Sequence, residues 1–216
     1  MRLRIASLTI LCLALAAVPA FADYSNGAIN GTTDAWTINF GYIVSDTFKT
    51  GANDVGVSGF MFGTWEFPGN VLSSVDWSIT TGENGGNVLG SGTASGKNVT
   101  DQFISTNQFG YDIDKITVTG LNVAVAGNTT YWLNLQNAVV PSGDPVYWDE
   151  NSGPSSASES SVGTIPSEAF TVKPTGCGAG NNSPDCGPPV PEPSSILLFG
   201  SGVLGLLGVL RCKLNL

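Results

Sequence analysis

The chain has 216 residues, a formal net charge of −9, four cysteines and no histidine. At roughly 150 residues per domain, that length suits one globular domain with accessory segments. The missing histidine excludes a Ser-His-Asp triad, a Cys-His pair, an HExxH zinc site and any imidazole base. A charged fraction of 12 %, beside 28 glycines and 12 prolines, fits a turn-rich extracellular β protein rather than a helical enzyme.

The first segment reads as a cleavable secretory signal. Arg2 and Arg4 form a charged start, Ile5–Val18 an apolar run, and Ala20-Phe21-Ala22 puts small residues at the two positions a signal peptidase reads. Residues 1–22 are therefore expected to be removed after Ala22. The apolar run of 14 residues falls short of the roughly 20 that a membrane span needs.

Residues 23–174 read as one all-β domain. Trp36–Phe40, Val75–Thr80, Ile116–Thr119 and Tyr131–Gln136 alternate apolar and polar residues with period two, as half-buried strands do. Val57–Phe67 is a long aromatic run whose glycines at 59 and 63 suggest a bend or bulge. Ala169–Val172 reads as the last strand, and no sustained 3.6-residue apolar period marks a helix. Turn signals recur at Pro68-Gly69-Asn70, Glu83–Gly86, Gly127-Asn128 and Pro141-Ser142-Gly143. Many short strands at this spacing predict a single antiparallel β-sandwich, jelly-roll-like in character. The polar stretch Asn151–Ser161 reads as a flexible loop before the last strand.

Segment 23–190 holds 16 acidic residues, four lysines and no arginine, a net charge of −12. A nucleic-acid partner needs a basic footprint, so none is expected. Without histidine, the enzyme class that still fits is a carboxylate-pair glycosidase, with Glu66, Glu83, Glu150, Asp76 and Asp149 as candidates. None has a spacing that demands catalysis, and no catalytic residue and no cofactor is assigned. The richest cluster is Gly143-Asp144-Pro145-Val146-Tyr147-Trp148-Asp149-Glu150-Asn151. Aromatic faces stack on sugar rings and carboxylates or amides bind hydroxyls, so Tyr147, Trp148, Asp149 and Asn151 form a candidate glycan site. Asp144, Asp149 and Glu150 are the weaker candidates for calcium, since no EF-hand spacing is present. The competing reading is that Tyr147 and Trp148 plug the core while the acids face water.

Residues 175–190 read as a Gly/Pro-rich linker. It carries Cys177 and Cys186, which an oxidising compartment is expected to join as a disulfide. After it come three features in fixed order. Pro191-Glu192-Pro193 is held extended by its two prolines. Ile196–Leu210 is a glycine-containing apolar run; with Ser194 and Ser195 it reaches 17 residues (194–210), the lower limit for a span. Arg211 and Lys213 supply a basic end that stays cytoplasmic.

This tail, Val190-Pro191-Glu192-Pro193-Ser194-Ser195 with its apolar run and basic end, resembles the PEP-CTERM protein-sorting signal. Cys212 and the final Leu214-Asn215-Leu216 depart from the usual pattern. The resemblance covers residues 191–216 and implies transient insertion in the inner membrane, recognition by an exosortase near the Pro-Glu-Pro motif, and release to the cell surface of a bacterium that makes exopolysaccharide. The expected role of the domain is that of a non-catalytic module associated with extracellular polysaccharide or with the surface itself. The alternative is a secreted glycosidase.

Overall fold

The computed structural model describes residues 23–176. The signal segment 1–22 with Ala20 and Ala22, the Cys177–Cys186 pair, and the tail with Pro191, Glu192, Pro193, Arg211 and Lys213 lie outside the described residues, as does the apolar run 194–210. Among the described residues no helix is long and apolar enough to cross a membrane.

The chain is nearly all β. Its strands are β1 (Tyr24–Ser25), β2 (Ala35–Thr37), β3 (Ile43–Lys49), β4 (Asp54–Glu66), β5 (Ser74–Gly82), β6 (Gly85–Ser95), β7 (Val99–Thr106), β8 (Asp112–Ala124), β9 (Thr130–Val139), β10 (Tyr147–Asp149), β11 (Ala157–Glu159), β12 (Gly163–Ile165) and β13 (Phe170–Gly176). They form two antiparallel sheets. In the first, β4 pairs with β8 along one edge, and β8 with the outer strand β7. Along its other edge β4 meets β13 and then β10, which carry β1 and β2. The second sheet runs β12-β11-β3-β9-β5-β6.

Period-two alternation explains the single core between the sheets. Phe60, Phe62, Ile116, Val118, Trp148, Phe170 and Val172 come from the first sheet. Val44, Phe48, Val75, Ile79, Leu133 and Leu135 come from the second. Phe60 meets Trp77 edge-on at 6.4 Å between ring centres, one of the contacts that join the layers. The register of β4 shifts between Val57 and Gly59, where the aromatic run suggested a bulge. Gly59 needs to be glycine, because a Cβ there would collide with the Val118 carbonyl.

Two expectations change. Asn151–Ser161 is not a free loop: Ala157–Glu159 pairs with β3 on one side and β12 on the other, and all three residues are buried. Polar composition reports affinity for water, not pairing. Here Ser158 Oγ accepts a hydrogen bond from Asn84 Nδ2 at 3.0 Å, so a serine sits inside without an orphan group. After the expected turn at Glu83–Gly86, Gly85–Ser95 forms the outer strand β6. The last strand also runs on through Pro174 to Gly176, with register shifts on both sides of the proline-containing pair.

Candidate functional site

The predicted cluster at 143–151 lies on and around β10, which pairs with β2 and β4 in the first sheet. Alternation sends neighbouring side chains to opposite faces. Trp148 points into the core and is 0 % exposed. Its ring meets Phe170 at 5.6 Å and Phe62 at 6.0 Å, both edge-on, and its Nε1 donates to the Ala169 carbonyl at 3.1 Å. A ring enclosed in this way has no free face for a sugar, so Trp148 belongs to the core; the competing reading holds for Trp148 but not for Tyr147, which is half-buried, or for Asp149 and Glu150, which are buried.

The acids are enclosed too. Asp149 Oδ1 accepts from Trp65 Nε1 at 2.6 Å and from the Gly31 amide at 3.0 Å; Oδ2 accepts from the Asn30 amide at 2.8 Å. Burial pushes its carboxyl up, and these donors oppose the rise. Asn151 Nδ2 donates to the Asn26 carbonyl at 2.7 Å, while its Oδ1 accepts from Gly153 N and Ser167 Oγ, each at 2.8 Å. Both residues tie segment 26–31 to the sheet. Glu150 Oε2 takes Trp36 Nε1 at 3.2 Å, and Asp144 Oδ2 takes Asn70 Nδ2 at 3.2 Å. The three suggested calcium ligands are thus committed to separate donors. Among the described residues, no group of three His, Cys, Asp or Glu side chains converges on a metal-sized site.

Asp149 shares the outer face with Tyr147 but is covered by segment 30–31, so of these two only Tyr147 reaches solvent, and there it joins a patch that sequence reading missed. Register sets Tyr147 opposite Trp65. Trp65 stacks on Phe109 at 5.7 Å with an interplanar angle of 23°, and lies 5.8 Å from Tyr111. Tyr111 meets Phe67 at 5.2 Å and Tyr147 at 5.7 Å, both edge-on. Five rings are therefore continuous. Trp65 is the buried floor, Tyr111 and Tyr147 are half-buried, and Phe109 and Phe67 are 56 % and 40 % exposed.

Local chemistry holds the exposed rings in place. Asn107 begins the turn between β7 and β8, and its Oδ1 accepts from the amides of Phe109 and Tyr111, each at 3.0 Å. Gly110 follows with φ of 84°, a conformation glycine adopts freely. Phe67 opens a second turn closed by Asn70 N donating to the Phe67 carbonyl at 3.0 Å. Asn70 also accepts from Ser142 Oγ at 2.8 Å and donates to Asp144. The apolar shelf thus has a rim of amide, hydroxyl and carboxylate groups. The stretch Asn107-Gln108-Phe109-Gly110-Tyr111, two aromatics in an Asn/Gly turn, was the signal available in the sequence.

The suggested catalytic acids are scattered. Glu66 is 0 % exposed on the inner face of β4. Asp76 faces outward on β5, accepting from Thr93 Oγ1 and from Asn137 Nδ2. A further acid, Glu168, is 0 % exposed and neither carboxyl oxygen has a hydrogen-bond partner. Burial first, then the charges of Asp46, Glu150, Asp149 and Asp34, hold its carboxyl well above the ordinary range.

No curated protein matches this chain. Residues 189–211 match the PEP-CTERM protein-sorting motif, a span that includes Pro191, Glu192, Pro193 and Arg211. The chain therefore carries the sorting signal of an exported cell-surface protein whose processing partner is an exosortase.

Proposed function

We propose that the sorted protein is a non-catalytic surface module whose β-sandwich binds extracellular polysaccharide on the shelf formed by Trp65, Phe67, Phe109, Tyr111 and Tyr147. The observation that carries this reading is the continuity of five rings on an outer sheet face with two of them exposed. A rigid apolar strip with a hydrogen-bonding rim suits the flat faces and hydroxyls of consecutive sugar rings. The charge of segment 23–190 disfavours polyanions, so the ligand is a neutral chain. The non-catalytic reading is supported by the placement of Glu66 and Asp149, both inaccessible to a substrate as large as a glycan. Under this proposal the signal peptide ends at Ala22, the domain spans 23–174, and the Cys177–Cys186 disulfide stiffens the linker. The 194–210 segment holds the protein in the inner membrane until the tail is cut.

Two measurements test it together. Intact mass of the protein from culture medium and from membranes should give a species starting at Asp23 and ending near Pro191-Glu192-Pro193. Retention of Ile196–Leu216 in the membrane would refute removal of the tail. The released protein is then titrated with fractionated exopolysaccharide from the producing cells and with a neutral β-glucan. Loss of one stacking ring in Phe109→Ala should weaken binding about tenfold, a change of about 1.4 kcal/mol. Equal affinities for wild type and variant would refute the shelf. Turnover of the polysaccharide that disappears in Glu66→Gln would establish the glycosidase instead.

A further inference from the structure

A second group of side chains lies on the opposite, core-facing side of the same sheet from the aromatic shelf. Register sets Glu66 of β4 opposite Asp112, and Thr64 opposite Asp114. On the far side of β8, Asp101 of β7 stands opposite Ile116, itself a core-facing residue. Paired residues share a face, so Glu66, Asp101, Asp112 and Asp114 gather at one end of three adjacent strands.

Their hydrogen bonding is incomplete in a specific way. The two outer acids are used: Asp101 Oδ2 accepts from the Leu72 amide at 2.6 Å, and Asp112 accepts from Gly69 N and Thr106 Oγ1, each at 3.0 Å. Each of the two inner acids keeps one buried oxygen unpartnered. Glu66 is 0 % and Asp114 4 % exposed. Thr64 Oγ1 donates to Glu66 Oε1 at 3.0 Å, but Glu66 Oε2 and Asp114 Oδ2 have no partner. No basic residue of the described chain is placed to offset them; Lys97 lies in the turn before β7, at the Val99–Val118 end of the β7–β8 pair. Lys115 is the one basic residue on these three strands, and it stands opposite Gly63, on the other face of β8 from Asp114. The turns at 67–73 and 107–111 carry no basic residue. The carboxylates do not converge closely enough for a metal ion.

What remains is the proton. Burial raises the Glu66 carboxyl to about 8, with the Asp101 charge the next cause and Asp114 and Asp112 adding to it. Burial, then Asp101 and Asp112, raises Asp114 to about 7. Burial also raises Asp101. We propose that this cluster is a proton-held latch: protons on Glu66 and Asp114 keep β7 and the 68–72 turn closed against the sheet, and their loss in alkali releases that edge. The element that yields is β7. It pairs with β8 alone, and most of its residues are exposed, whereas β4 is held along both edges. Asp101 ties the two moving parts together through Leu72.

Amide hydrogen exchange on the purified full chain between pH 6 and 8, corrected for intrinsic rates, tests the latch. Amides of Val99–Thr106 should be less protected than those of β9, which marks the opening as local. Their protection should fall about tenfold per pH unit for each proton still held. Glu66→Gln with Asp114→Asn should abolish that fall. Should the double variant not fold, Asp101→Asn, at a half-exposed site, should shrink it by removing the like charge that most raises both carboxyls. The proposal is overturned if β7 is as protected as β9, if wild-type protection is flat with pH, or if the slope survives in the variants. It is equally overturned if millimolar calcium restores protection at pH 8, which would make the cluster a cation site.

Discussion

Glu168→Gln is the most informative single change. Wild-type Glu168 is fully buried with both oxygens unpartnered, and burial holds its carboxyl well above the ordinary range, which favours the protonated form in the folded chain. In the unfolded chain it ionises near its ordinary value of 4.5. Above that value the unfolded state binds fewer protons than the folded one. Stability therefore falls as pH rises, and it is fully regained only below the unfolded value. The slope is about 1.4 kcal/mol per pH unit while the folded group remains protonated. With the proton held throughout, this one residue costs the wild type about 2 kcal/mol between pH 5.5 and 7.0. Glutamine keeps the size and cannot ionise, so the stability gained by Glu168→Gln should grow by that amount over the interval. Urea unfolding of both proteins at pH 5.5, 6.25 and 7.0 measures it. With a slope near 2 kcal/mol per molar, the midpoint gap should widen by about 1 M. A gap that is constant with pH, or that narrows, would refute the argument that Glu168 is buried uncharged.

Three further outcomes follow from the packing. Trp148→Ala should destabilise the domain by about 3–5 kcal/mol, read by thermal unfolding, whereas Tyr147→Ala on the half-buried outer face should cost clearly less. Asp149→Ala leaves the Trp65, Asn30 and Gly31 donors unpaired inside the protein. At about 1–3 kcal/mol per orphaned group it should be among the most damaging changes, and Asp149→Asn should recover part of the loss. Gly153→Ala would drive a methyl group into the Asn26 carbonyl, so a drop in melting temperature is expected although residue 153 lies in a loop.

Much of the architecture was legible because it is written locally. The alternation in Val75–Thr80 and Tyr131–Gln136 needs only neighbours in the chain, and both became central parts of the second sheet. Glycines in Val57–Phe67 marked the bulge for the same reason. Strands of small polar residues escaped notice: Ala157–Glu159 has no apolar period, and its place is determined by β3 and β12, which are remote in sequence or separated by a turn.

The candidate site shows the division most sharply. Export and sorting were readable from the sequence alone, since a processing enzyme reads an extended motif, an apolar run and a basic end in order along the chain. Aromatic residues near 147 were also visible, but not their destinations. One position decides whether a β10 side chain enters the core or faces outward, and that parity is set by pairing Tyr147 with Trp65, 82 residues earlier. The tertiary structure sent Trp148 inward and Tyr147 outward, and brought Phe67, Phe109 and Tyr111 beside it from turns on other strands. It also stacked Glu66, Asp101, Asp112 and Asp114 on one face. Side-chain chemistry is local to a residue, but proximity comes from the register of strands distant in sequence, and only the folded sheets contain it.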